Sequence, residues 1–269
     1  MLKNKKIGFI GAGNMGQAII NGLLAAKAVD KSKIIIYDSD NDKVQLLKKK
    51  GVRIAADNGD LVDRSDVIIL AVKPQVMDEV LEDIKEGVLK SRLLISLAAG
   101  ITTGHIEDLL ARKVAVIRVM PNTPAVIRQG ATAICQGRFA TVTDEKIAEE
   151  IFASVGKTVK VDESLMNAVT GVSGSGPAYI FLIIETMIEA GRQVGLSREK
   201  AEILARQTVL GAAMMAMETG EDTATLRKKV TSPGGTTEAA LKYLDKKKFT
   251  RILIEAVKVA AVKAKELGK

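Results

Sequence analysis

The chain has 269 residues, 47% of them hydrophobic and 27% charged, with a net charge of +8 and a single cysteine. That balance excludes a disordered chain and a disulfide-stapled scaffold, and it fits one large domain or two ordinary ones in a reducing, cytoplasmic compartment. The lysines are spread out, with small clusters at Lys48–Lys50 and Lys246–Lys248. No nucleic-acid motif accompanies them, so the charge reads as a solvated surface that also favours anionic ligands.

The first element organises the rest. Ile7–Ile10 reads as a short buried strand, and Gly11-Ala12-Gly13-Asn14-Met15-Gly16 follows as G-x-G-x-x-G before Asn14–Lys27 turns helical. A strand that breaks at glycines and restarts as a helix gathers backbone N–H groups at one spot, which suits a pyrophosphate. Gly11 would allow the tight turn, Gly13 the approach of the phosphates to the N–H groups of Asn14 and Met15, and Gly16 close helix packing. Lys33–Asp38 then predicts a second strand that ends on an acidic residue, as ribose recognition requires.

Strand and helix signals go on alternating. Asn41–Lys50 predicts a helix, Val52–Ala55 a short strand and Gly59–Arg64 a small helix. Asp66–Val72 is a continuous apolar run, expected where a strand is buried on both faces of a parallel sheet. Gln75–Val88 predicts a helix, Arg92–Leu97 a strand, Thr102–Arg112 a helix and Lys113–Val119 a strand. Two further strands, near Thr132–Gln136 and Thr158–Val161, flank a helix around Asp144–Val155. The expected fold is therefore α/β: a Rossmann-type, doubly wound dinucleotide-binding domain over residues 1–162.

From residue 163 the pattern is helical, over Ser164–Val169, Gly176–Val194, Ser197–Thr219, Asp222–Lys229, Thr236–Asp245 and Phe249–Leu267. Gly171–Pro177 reads as a loop opening the first long helix. Ala178–Ile184 and Leu210–Met217 are apolar nearly all round, more than one small bundle can bury, so residues 163–269 are expected to form an all-helical domain with a subunit interface. No signal peptide is expected. Pro177–Gly191 is short and carries Glu185 and Glu189, so no membrane span is expected either.

Ligands of open α/β sheets bind beyond the carboxyl ends of the strands. Those ends read Gly11-Ala12-Gly13, Asp38-Ser39, Ala71-Val72-Lys73-Pro74, Ala98-Ala99-Gly100 and Met120-Pro121-Asn122-Thr123-Pro124. His105, the single histidine, reads as a surface or capping residue, and Cys135 as a buried, inert one. No metal site is expected. Ser232-Pro233-Gly234-Gly235 cannot be helix, whereas Thr236–Leu244 is an amphipathic helix. Gly235, Thr236 and Thr237 would then offer free N–H groups and two hydroxyls at a helix N-terminus, an anion site.

These motifs together resemble the pyrroline-5-carboxylate reductases. The resemblance rests on GFIGAGNMG, AVKP at Ala71–Pro74, AAG at Ala98–Gly100, MPNTP at Met120–Pro124, GVSGSGPAY at Gly171–Tyr179 and SPGGTT at Ser232–Thr237, and it runs from Ile7 to about Leu267. It implies reduction of a cyclic imine to proline with NADPH or NADH. It also implies that Ser232, Gly234, Gly235, Thr236 and Thr237 hold the substrate, with Thr237 orienting the ring nitrogen and Glu163 nearby. Asn58, Ala71–Pro74 and Asn122 would line the cofactor. A homodimer, assembling further into a decamer, is implied as well. Two rivals share the N-terminal loop: a hydroxy-acid dehydrogenase and a non-catalytic nucleotide sensor. The former carries a lysine on the first long helix of its second domain, and Gly176–Gly191 has none. The latter has no use for Ser232–Thr237. Asp38, placed to meet ribose hydroxyls, leads to the expectation that NADH serves about as well as NADPH, or better.

Overall fold

The computed structural model describes residues 1–267. They fall into two compact units, one of Met1–Ser175 with the residues from Val259 onward, the other Gly176–Lys258. The division lies later than the expected 162/163 boundary. Residues 163–175 are held to the first unit by Glu163, which accepts hydrogen bonds from Thr103 and Arg118, by Met166, fully buried beside Ala133 and Cys135, and by Ser173, which accepts from Asn122.

The first unit is one eight-stranded sheet: β1 (Ile7–Ile10), β2 (Ile34–Tyr37), β3 (Arg53–Ile54), β4 (Val67–Leu70), β5 (Leu93–Ser96), β6 (Ala115–Met120), β7 (Gly130–Gln136) and β8 (Gly156–Lys160). Their order is β3-β2-β1-β4-β5-β6-β7-β8. β1 pairs in parallel with β2 and with β4, Ile7 lying opposite Ile34 on one side and Val67 on the other. The winding reverses between β1 and β4, which opens the ligand crevice at their carboxyl ends. Every residue of β1, β4 and β5 is buried, as the continuous apolar runs require of strands covered on both faces.

Side chains alternate between two cores. Ile7, Phe9, Ile36 and Ile69 face α1 (Asn14–Ala25) and α6 (Val142–Ala153) through Ile19, Leu23, Ile151 and Phe152. Ile10, Ile35, Ile68 and Leu94 face α3 (Asn58–Asp63), α4 (Met77–Ile84) and α5 (Thr103–Leu110) through Leu61, Leu81 and Ile106. α2 (Asn41–Lys48) covers the outer strands, with Val44 and Leu47 in the first core.

β7 runs antiparallel to β6, whereas β8 is parallel to β7. Only residues 121–129, with a 3₁₀ turn at Thr123–Ile127, join β6 to β7. A parallel return needs a crossover of roughly a dozen residues or more. α6, started by a Thr141–Asp144 capping box, supplies that crossover between β7 and β8.

Gly171–Pro177 is not a loop. After the short α7 (Met166–Val169), Thr170–Gly174 forms a π-helical turn, closed by the Ser175 N–H donating to the Thr170 carbonyl at 2.8 Å. Glu163–Gln193 is thereby one helical run, longer than the sequence pattern suggests, and apolar and long enough to cross a membrane by composition alone.

The second unit holds α8 (Gly176–Gln193), α9 (Arg198–Glu218), α10 (Thr223–Lys229), α11 (Thr236–Lys246) and the first turns of α12 (Phe249–Glu266). α8 and α9 pack closely where Gly191 faces Ala201, a Cβ at Gly191 coming within 3.1 Å of the Ala201 Cβ. Ala201 and Ala205 are buried there, but no residue of α8 is. Phe181, Leu182, Met214 and Met215 are exposed in the single chain.

Candidate active site

The glycine-rich turn is built as its sequence requires. Gly11 has φ +99°, and a Cβ there would sit 2.6 Å from the Ala71 carbonyl oxygen, so side chains are excluded on both counts. A Cβ at Gly16 would meet the Gly11 carbonyl at the same distance. Gly13 faces open space and serves as the N-cap of α1 with no side-chain hydrogen bond. The first N–H groups of α1, on Asn14, Met15 and Gly16, therefore remain available to an anion, aided by the helix dipole. The donors, the room in front of them and the strand-end cavity beside them fit a dinucleotide.

That cavity, about 300 Å³, lies beyond β1, β2 and β4. Asp38, Ser39, Asn58 and Val72 line it, together with Glu79 and Asp83 of α4. The Asp38 carboxylate holds the loop together: Oδ2 accepts the Ala12 N–H at 2.6 Å and Oδ1 the Asp40 N–H at 2.8 Å. Asn58 donates from Nδ2 to Asp83 at 3.2 Å, and its buried Oδ1 has no hydrogen-bond partner among the described residues. Ala71 follows β4, its N–H donating to the Ile10 carbonyl, and Lys73 precedes a 3₁₀ turn begun by Pro74. Ala98-Ala99-Gly100 turns after β5, with Gly100 at φ +83°.

Two residues expected at ligands make hydrogen bonds within the protein. Asn122 donates from Nδ2 to the Ser173 carbonyl and hydroxyl, both at 3.2 Å, and its Oδ1 accepts the Ala131 N–H at 2.8 Å. It thus ties the segment after β6 to the π turn and to β7. The Glu163 carboxylate accepts from the Thr103 N–H and hydroxyl, each at 2.7 Å, and from Arg118 at 3.3 Å. Arg118 is only 3% exposed. This partly buried cluster joins β6, the start of α5 and the segment that begins at Glu163. Its members lie 45 and 60 positions apart, and no local motif reveals it.

His105 and Cys135 behave as ordinary residues. His105 Nε2 lies 2.7 Å from Asp78 on an exposed surface, and its backbone N–H is capped by Thr102. The Cys135 thiol is buried, and burial pushes its pKa up to about 12.

In the second unit, Ser232–Gly235 forms a tight turn, with the Gly235 N–H donating to the Ser232 carbonyl at 3.0 Å and Gly234 at φ +71°. Gly235 is the N-cap of α11 and provides no side-chain cap, so Thr236 and Thr237 stand at an open helix N-terminus. Glu238, which the sequence reading passes over, reaches back to accept the Gly234 N–H at 2.9 Å and pairs with Lys242 at 3.1 Å. Those two partners, the Gly234 N–H foremost, hold its pKa below the ordinary carboxylate value. Glu238 thus clamps the turn and leaves the following N–H groups open.

Comparison with known proteins matches residues 163–267 to the family model for pyrroline-5-carboxylate reductase dimerisation, and residues 6–100 to one described as NADP oxidoreductase, coenzyme F420-dependent. A protein named pyrroline-5-carboxylate reductase from Methanosarcina acetivorans is 45% identical over all of both chains. The solved pyrroline-5-carboxylate reductase of Coxiella burnetii superposes with a TM-score of 0.93 at 42% identity, covering 99% of this chain and 100% of that one. The Plasmodium falciparum pyrroline carboxylate reductase, solved with NADP bound, gives 0.89 at 34% identity and covers both chains fully. Full-length identity at this level, together with a dinucleotide turn and an open SPGGTT helix start, places the chain in the pyrroline-5-carboxylate reductase family.

Proposed function

We propose that this chain reduces 1-pyrroline-5-carboxylate to L-proline, the last step of proline biosynthesis, with NAD(P)H as reductant. The observation that carries the reading is the open N-terminus of α11. Thr236 and Thr237 present hydroxyls and N–H groups there, and no side chain of the described residues caps them. A helix start of this kind favours a carboxylate by about 0.3 to 1 kcal/mol from its dipole alone, before individual hydrogen bonds are counted.

Ser232, Gly234, Gly235 and Thr236 hold the substrate carboxylate, and the Thr237 hydroxyl orients the ring nitrogen. The N–H groups of Asn14, Met15 and Gly16 take the cofactor pyrophosphate. Asp38, Ser39 and Asn58 take the adenosine end, and the turns Ala71–Pro74 and Ala98–Gly100 border the rest of the groove. When bound, the reduced nicotinamide supplies the hydride that reaches the imine carbon. A protonated imine is already electrophilic, so the protein contributes position and charge placement rather than a proton shuttle. That fits a chain whose single histidine is paired with Asp78 on the surface. Asn122 and Glu163 act as positioning residues, through Ser173 and Thr103 respectively.

Functionally, residues 1–162 serve the cofactor and residues 163–269 the substrate and the dimer. The exposed apolar helices α8 and α9 lie inside the matched dimerisation region, which supports a second copy rather than a membrane as their cover. Assembly of the dimers into a decamer, a cytoplasmic location and no nucleic-acid partner complete the reading. The test is absorbance at the reduced-nicotinamide band. Loss of signal is expected on adding the cyclic imine and none on adding a 2-keto acid, which would instead mark a hydroxy-acid dehydrogenase. Light scattering on the same sample gives the number of subunits.

A further inference from the structure

The strand-end cavity has a one-sided chemistry. Among the described residues its ionisable lining besides Tyr37 is all carboxylate, Asp38, Glu79 and Asp83, with neither lysine nor arginine. Lys43, in the first turn of α2 just beyond, is engaged already: its Nζ lies 2.9 Å from Asp40 Oδ2. The amide of Asn58, the uncharged side-chain N–H donor of the lining, is given to Asp83. Asp38 uses two of its roughly four acceptor positions on Ala12 and Asp40, so it can still accept from a hydroxyl. Val72, Val76 and Val80 supply an apolar wall.

We propose that this cavity takes the adenosine end of the cofactor and selects NADH over NADPH, with Asp38 as the specificity-determining residue and Glu79 and Asp83 reinforcing it. The inference rests on the reductase reading and deepens it. A ribose 2′-hydroxyl is a donor and finds an acceptor in Asp38. A 2′-phosphate brings about two further negative charges and little donor capacity to a cavity that already holds three carboxylates. At close range in a partly enclosed cavity such like charges oppose each other more strongly than in bulk water. Family membership leaves the choice open, since the Plasmodium relative was solved with NADP bound.

The experiment is direct titration of the full chain with NADH and with NADPH, followed by calorimetry or nicotinamide fluorescence, without turnover. NADH is expected to bind at least about tenfold more tightly, a difference of about 1.4 kcal/mol. The gap should narrow as salt is raised, because screening weakens repulsion and leaves a hydroxyl contact almost unchanged. Asp38→Asn keeps an acceptor for the Ala12 N–H and removes the charge, so it should shift the ratio toward NADPH by about tenfold. Glu79→Gln, on an exposed position of α4, removes a second charge without touching the loop and should shift it a few-fold the same way. Equal or tighter NADPH binding by the unmodified chain overturns the specificity alone. So does an unchanged ratio in both variants. Binding of neither dinucleotide overturns the reductase reading with it.

Discussion

Thr237 occupies the second helical position of α11, after an N-cap glycine that has no side chain to satisfy the helix start. Its hydroxyl is placed by the turn before it, and that turn depends on Gly234 at φ +71° and on Glu238 holding the Gly234 N–H. Thr237→Ala should therefore lower kcat/KM for the cyclic imine by about 10- to 1,000-fold, the scale for loss of one positioned donor. Cofactor affinity should not move, and Thr237→Ser should restore most of the activity. Unchanged kcat/KM in the alanine variant would place the substrate elsewhere. Cys135 gives the opposite kind of prediction. A thiol held at about 12 by burial stays protonated at pH 8, while the same thiol in the unfolded chain titrates near its ordinary 9.0. Iodoacetamide should leave the folded protein unlabelled and activity intact, with full labelling after denaturation. Rapid labelling of the native chain would show that Cys135 is neither buried nor inert.

At the scale of elements, the Glu163–Arg118–Thr103 cluster fastens the segment that begins at Glu163 to β6 and α5. Removing the carboxylate leaves a guanidinium 3% exposed without its partner. Glu163→Ala should destabilise the first unit by about 2 to 4 kcal/mol, below the fully buried figure because Glu163 itself is partly exposed. Adding Arg118→Met should recover part of that loss, since the stranded charge goes too. Denaturant unfolding of the two single variants and the double reads this as a coupling, and strict additivity would mean the pair does not interact. This cluster also marks where the sequence stops being legible. Continuous apolar runs announced β1, β4 and β5, and the glycine turn announced its own geometry, because both follow from residues within one short window. The antiparallel direction of β7 was not expected: strand signals carry no direction, and it follows from the brief connection between β6 and β7. The π turn at Thr170–Gly174 reads as a loop because its glycines and serines disfavour helix. What holds it is the Asn122 amide, 51 positions away. The resemblance singles out Asn122 and Glu163, but the residues they touch lie too far away in sequence to be read.

At the scale of the whole molecule, the helical half poses a problem of exposure. α8 buries no residue within the chain, and Phe181 and Leu182 are 57% and 63% exposed, as are Ile203, Leu210, Met214 and Met215 to similar degrees. A soluble monomer rarely carries so much apolar surface in one region. The same run is long and apolar enough to span a bilayer, yet it begins at Glu163, whose carboxylate is fixed on Arg118, and carries Glu185 and Glu189 along α8. Charges spaced through the run oppose a bilayer and suit a protein interface, where their ends reach solvent. Because the matched family region is one of dimerisation, the cover is a second copy. Interfaces of this obligate kind bury more than about 2,000 Å² and resemble a core divided in two, so the separated chains should not persist folded. Sedimentation at low micromolar concentration should show no monomer, and the unfolding midpoint should rise with protein concentration. Phe181→Asp places an unpaired carboxylate in that surface. It should either dissociate the dimer, with loss of activity, or abolish folding, while a substitution at the exposed Lys3 of the first unit should do neither. A folded, active monomer of the unmodified chain would refute the interface, and with it the assignment of α8 and α9 to a partner subunit.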